Sequence, residues 1–148
     1  MNRLLYTMLV KIFGVKFILL GTSAIITNSK EQVLLGKRNS KSLYYPNCWG
    51  LPGGITNHGE FFIDSVKREV KEEFGVDIKI IKVGKKAYEH ILSKIHGVCI
   101  VYHAKIINNG VPRAEDETQE VKWFNPPEIK DMKLAFNHKD ILKEEGLL

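Results

Sequence analysis

Cysteine is scarce in this chain of 148 residues, where Cys48 and Cys99 stand far apart and outside any C-x-x-C spacing. That excludes a disulfide-stapled framework and a cysteine zinc knuckle, and free thiols in a reducing, cytoplasmic setting are expected. Long apolar runs are missing too. Between Leu4 and Leu20 the greasy stretch is broken by Lys11, Gly14 and Lys16, whereas a spanning helix needs about 20 apolar residues. The uncharged run Leu4–Val10 is short, and no small-residue cleavage pattern follows it, so neither signal peptide nor membrane anchor is expected. No repeat, low-complexity tract or Pro/Gly-rich linker interrupts the chain, and residues 1–148 read as a single domain. Charge of one sign is not gathered in blocks: 22 Lys+Arg against 17 Asp+Glu leave +5, scattered along the sequence. Such a surface favours phosphate-bearing ligands, but without a basic stripe interleaved with aromatics it gives no footprint for DNA.

What is present suits an ordinary globule, with 44% hydrophobic and 26% charged residues. A chain near 150 residues buries roughly 68–70% of its unfolded surface, enough for a core without staples. Leu5, Met8, Leu9 and Ile12 keep helical spacing, which predicts a packing helix or a homodimer contact in the N-terminal extension, residues 1–20. Val15–Leu20 and Thr22–Thr27 read as strand, bent at Gly21. Across the polar turn 28–31 they are expected to form a hairpin with Gln32–Arg38. Asn39–Cys48 is a loop and Trp49–Gly54 a rigid turn. Phe62, Val66, Val70 and Phe74 recur every fourth residue, predicting a helix over Phe61–Phe74 that Gly75 stops in the left-handed region. Strands are expected over Val76–Val83, Ala87–Leu92, Val98–Ile107 and Val121–Phe124, a helical turn at Pro126-Pro127, and a last helix capped by Asn137.

The chemistry concentrates on the central helix. At about 100° per residue, Glu69, Glu72 and Glu73 share a sector of roughly 100° beside the apolar row, and Arg68 stands one turn before Glu72. Three carboxylates so close repel unless their pKa values rise or a divalent cation neutralises them. Oxygen donors without Cys or His select Mg²⁺ or Mn²⁺. The double glycine Gly53-Gly54 lets backbone approach such a cation closely.

Gly54-x5-Glu60-x7-Arg68-Glu69-Val70-x-Glu72-Glu73-x-Gly75-Val76 resembles the complete Nudix box, with Trp49-Gly50-Leu51-Pro52-Gly53 entering it. The resemblance runs roughly from Thr22 to Leu142. It implies an α+β fold, an α/β/α sandwich around a mixed β-sheet, and a hydrolase that cuts a nucleoside diphosphate linked to another moiety. It implies Mg²⁺ ligation by Glu69, Glu72 and Glu73 with the Gly53 carbonyl, and orienting roles for Glu60 and Arg68. A metal-activated water attacks phosphorus while a carboxylate takes its proton. Glu69 is one candidate base. Glu120, then Glu117, in the acidic stretch 115–120, are others, Glu120 also as a metal ligand. Lys37 and Arg38 end a strand and are candidates for reaching phosphate. Leu134-Ala135-Phe136-Asn137-His138 resembles the tail of small prokaryotic ADP-ribose pyrophosphatases, though Asn137 replaces the usual Asp. Phe136 is a candidate for facing the base, the other reading being a core residue. Trp49 is expected against the box helix, and His58, His90, His96 and His103 receive no role. The resemblance points to ADP-ribose, cut to AMP and ribose 5-phosphate. A nucleoside-triphosphate pyrophosphohydrolase and a non-catalytic nucleotide-sensing domain remain the alternatives.

Overall fold

The computed structural model describes residues 17–148 together with Met8 and Ile12, both of which are exposed. The expected packing helix or dimer contact otherwise lies outside the described residues.

The elements run β1 (Phe17–Ile26), β2 (Val33–Arg38), β3 (Trp49–Gly50), β4 (Gly53–Ile55), α1 (Phe62–Phe74), β5 (Ile78–Leu92), β6 (Ile95–Ile106), β7 (Thr118–Phe124), α2 (Pro126–Lys130) and α3 (His138–Glu144). One sheet has the order β4-β1-β6-β5 and the other β3-β2-β7. The β1–β6 pair is parallel and every other ladder antiparallel, so the sheet system is mixed.

Alternation along the strands builds two cores. Ala24 and Ile26 of β1 and Leu34 of β2 join Val66, Val70 and Phe74 of α1. Ile25, Val33 and Leu35, one residue out of phase, join Ile129, Ile141 and Leu142 from α2 and α3. Side chains of a strand point to opposite faces in turn, so the α1 layer and the α2/α3 layer lie on opposite sides of these strands. This is the α/β/α sandwich the resemblance implied.

Several local expectations need correction. The hairpin between β1 and β2 does not form: the strands enter different sheets and pair only at the Thr27–Val33 bridge. Gly21 is no bend, since β1 runs through it with Ile55 and Cys99 as neighbours. A Cβ at Gly21 would lie 2.8 Å from the Gly54 carbonyl oxygen, so the position is kept small by strand approach. Trp49–Gly54 is not wholly a turn, because its two ends pair as β3 and β4 on either side of Leu51-Pro52. The strands expected on either side of residues 84–86 are one, β5, whose register shifts between Val83 and Ala87. The freed Lys85 N–H there donates to Glu145 Oε1 at 2.8 Å. Asn137 occupies the N-cap of α3 but makes no capping bond, and its Nδ2 donates to the Glu89 carbonyl at 3.0 Å. Gly75 does stop α1, at φ 68° with its N–H on the Lys71 carbonyl.

Candidate active site

The helix α1 presents its carboxylates to the β4 edge through two glycines. Gly53, at φ 151°, would place a Cβ 2.1 Å from the Thr22 carbonyl oxygen, and a Cβ on Gly54 would lie 2.5 Å from the Glu69 carboxyl carbon. Only glycine leaves the notch in which the Glu69 carboxylate sits. The hydroxyls of Thr22 and Thr56 both meet the buried Ser65 hydroxyl, at 3.3 and 3.1 Å, and fasten α1 against β1 and the end of β4. Glu73 Oε2 accepts the Gly53 N–H at 3.0 Å.

Arg68 is the hub of the charge pattern. Its Nε and Nη2 donate to the two Glu60 oxygens at 2.7 and 2.9 Å, a bidentate pair. Its Nη1 donates to Glu69 at 2.8 Å and to Glu72 at 3.2 Å, and Nη2 also reaches the Ile55 carbonyl at 3.3 Å. Hydrogen bonds from Arg68, joined by one from the Asn57 N–H, hold the Glu60 carboxyl down at about 2. Hydrogen bonding to Glu60 raises Arg68 further above its ordinary value. Glu69 is buried, Glu73 half-buried and Glu72 exposed. Among the described residues, no three His, Cys, Asp or Glu side chains converge closely enough to hold a metal. The row is split instead, Glu69 and Glu72 towards Arg68 and Glu73 towards Gly53.

A cavity of about 590 Å³ opens beside this row. Gly53, Gly54, Glu73, Glu117, Lys37, Arg38 and Phe136 all line it. Glu120 does not: it lies exposed opposite Lys37 in the β2–β7 ladder. Arg38 Nε donates to the Tyr44 carbonyl at 3.0 Å and so orders the loop 39–48, and its guanidinium lies 5.2 Å from the Phe136 ring centroid. Phe136 is half-buried at the cavity rather than in either core. Trp49 packs edge-on against Phe124 at 4.8 Å and belongs to the core on the side away from α1, contrary to expectation. His138 Nδ1 accepts the Leu51 N–H at 3.0 Å. Burial, with the positive Arg38 guanidinium nearby, pushes its imidazole down to about 3. Sequence reasoning passed over His90, whose ring reaches Phe136 at 5.7 Å, edge to face. Nothing in a lone histidine's local sequence announces a contact made across the fold.

Residues 18–144, from β1 through α3, match the NUDIX domain. The chain belongs to the Nudix hydrolase family. The ADP-ribose pyrophosphatase of Methanocaldococcus jannaschii is 31% identical over 120 residues, which cover 80% of this chain and 68% of that protein. Nudix hydrolase 2 of Arabidopsis thaliana is 26% identical over 131 residues, 82% of this chain but only 46% of the plant protein. The chain thus spans less than half of that relative. Among solved structures, the MutT protein from Methanosarcina mazei Go1 superposes with a TM-score of 0.78 at 25% identity, covering 88% of this chain and 94% of that one. The Nudix domain of Shewanella oneidensis NrtR, complexed with ADP ribose, shares the fold with a TM-score of 0.70 at 23% identity, covering 97% and 96%. Like other Nudix hydrolases, this chain is a pyrophosphohydrolase of a nucleoside diphosphate joined to a second moiety. No helix of the described residues is long and apolar enough to cross a membrane.

Proposed function

We propose that this Nudix hydrolase cleaves the pyrophosphate bond of ADP-ribose, giving AMP and ribose 5-phosphate, with Mg²⁺ as its cofactor. The observation that carries the reading is the shared cavity, in which Glu73 of the carboxylate row, Glu117, two cations and an aromatic ring line one hollow. Its volume lies within the range of pockets that enclose a small organic ligand. Those linings match the two chemistries of such a substrate: a diphosphate that needs positive charge, and a flat base. The name of the archaeal relative, an ADP-ribose pyrophosphatase, supports the same choice.

The donor set fits Mg²⁺. Glu69, Glu72, Glu73 and the Gly53 carbonyl offer only hard oxygen, and the Gly54 notch holds one of these carboxylates beside β4. A cation held there would supply charge to neutralise diphosphate oxygens and to acidify an attacking water. Glu72 would give up its Arg68 contact, and Glu73 its Gly53 contact, to hold it. Arg68, bidentate on Glu60, would still hold Glu69 in place. Glu117, which lines the hollow, is the better placed of the two acidic-stretch glutamates to take the proton, with Glu69 as the other candidate. Lys37 and Arg38 balance the diphosphate charge.

A substrate panel tests the reading: ADP-ribose, nucleoside triphosphates, dinucleoside polyphosphates and nucleotide sugars, each with Mg²⁺ and with excess chelator. ADP-ribose is expected to give the highest kcat/KM, with AMP and ribose 5-phosphate as products and no turnover in chelator. Turnover of triphosphates alone would replace the substrate assignment with a triphosphate pyrophosphohydrolase.

A further inference from the structure

Buried side-chain polar atoms are nearly always hydrogen-bonded, because stripping water from an unpaired one is costly. Among the described residues two lack a partner, Ser42 Oγ and His90 Nε2. Both residues line the same cavity. They come from separate elements, the loop 39–48 and strand β5, so their meeting at one hollow is a property of the fold. His90 faces Gly97 across the β5–β6 ladder, where no side chain stands beside it.

The surroundings are aromatic. The His90 ring is perpendicular to Phe136, and Tyr45 backs Phe136 at 4.8 Å. Phe136 and Tyr45 both adopt positive φ, 52° and 51°, a backbone region that bulky residues rarely occupy. Such strain persists where packing over-determines it, and it clusters at ligand sites. Here it turns one aromatic ring to the cavity and a second against its back.

We propose that a bound nucleotide draws His90 Nε2 and Ser42 Oγ, which are screened from water without it, onto its base, each through one hydrogen bond to the base edge, while Phe136 supplies the flat surface beside it. The assignment rests on the cavity being the nucleotide site. Burial pushes the His90 imidazole below its ordinary value, so the ring is neutral near pH 7. A neutral imidazole offers one donor and one acceptor and no charge. That suits the uncharged edge of a base and gives little to a diphosphate, whose charge Lys37 and Arg38 already meet.

Calorimetric titration of the full chain with AMP and, separately, with ribose 5-phosphate tests this in the wild type, His90→Phe and Ser42→Ala. Loss of one buried hydrogen bond is expected to weaken AMP about tenfold in each variant and leave ribose 5-phosphate within about twofold. Should His90→Phe lose its cooperative thermal transition, His90→Leu takes its place. Unchanged AMP affinity in either position's variant, an equal loss for ribose 5-phosphate, or a wild type that binds no AMP overturns the proposal. A wild type that binds AMP in this His90-dependent way but leaves ADP-ribose intact overturns the substrate assignment and keeps the base-reading pair.

Discussion

At the residue scale the site is organised by one guanidinium. Arg68 touches Glu60 with two nitrogens and spends a third on both Glu69 and Glu72. Lysine cannot reproduce that planar fork. In Arg68→Lys the Glu60 carboxyl is expected to titrate closer to its ordinary 4.5 than to the value of about 2 it holds beside Arg68. Carboxyl chemical shifts followed by NMR across pH 1.5–6 would show it, and an unmoved midpoint would deny Arg68 its role. Glu73 gives a second test. Glu73→Gln keeps an acceptor for the Gly53 N–H and removes only the charge, so the thermal transition should stay put. Activity should fall about a thousandfold or more if that carboxylate helps hold the cation. Unchanged turnover would move the metal site elsewhere.

At the element scale, the pairing of β4 with α1 decides where the carboxylates stand. A methyl on Gly54 would overlap the Glu69 carboxyl, with its Cβ 2.5 Å from the carboxyl carbon. Gly54→Ala therefore has to displace Glu69, and a displacement near 1 Å in a catalytic group costs on the order of 100-fold in rate. Steady-state kinetics should show the loss in kcat, with the fold retained by circular dichroism. The apolar row beside these carboxylates on the same helix carries stability instead. Phe74 is 1% exposed and fills the space under Gly36. Phe74→Ala is expected to cost about 3–5 kcal/mol, a large part of a domain's usual 5–15, read as a lower urea midpoint.

These elements also mark how far the sequence could be read. The box helix was legible because an apolar residue every fourth position and a terminal glycine are local signals. The missing hairpin was not, since a polar turn between two strands suggests neighbours, and here β1 takes its partners from residues 53–55 and 95–104 instead. Pairing at such distance is settled by which faces must be buried, as the out-of-phase split of Ile25 and Ile26 between two cores shows. The carboxylate row could be read from spacing. The cavity's other wall could be read only in part: Phe136 came from a motif, while Ser42 and His90 carry no motif at all.

At the scale of the whole molecule, two buried ionisable groups couple the fold to pH in the same direction. Glu145, at the end of α3, accepts hydrogen bonds from Tyr88, from His103 and from the Lys85 N–H. Burial alone would raise its pKa, but these bonds outweigh burial and hold it at about 2. His138, wedged under Gly50 and Leu51, stays neutral down to about 3. Protonating its Nδ1 would set a donor against the Leu51 N–H. For both groups the unfolded chain takes up a proton before the native state does, so stability rises with pH across each interval. The His138 contribution is complete above about 6.5 and is lost as pH falls from there towards 3. That of Glu145 is complete above 4.5 and is lost towards 2. Urea unfolding at successive pH values should therefore show stability falling below pH 6.5, with a slope of up to ~1.4 kcal/mol per pH unit for each proton involved. His138→Gln should flatten the part between 6.5 and 4.5 and leave the steeper acid limb, because Glu145 titrates only below it. A wild-type profile flat from pH 7 to 5 would mean that His138 is not held neutral, and that the contact joining the strand before the box to the last helix does not form as described.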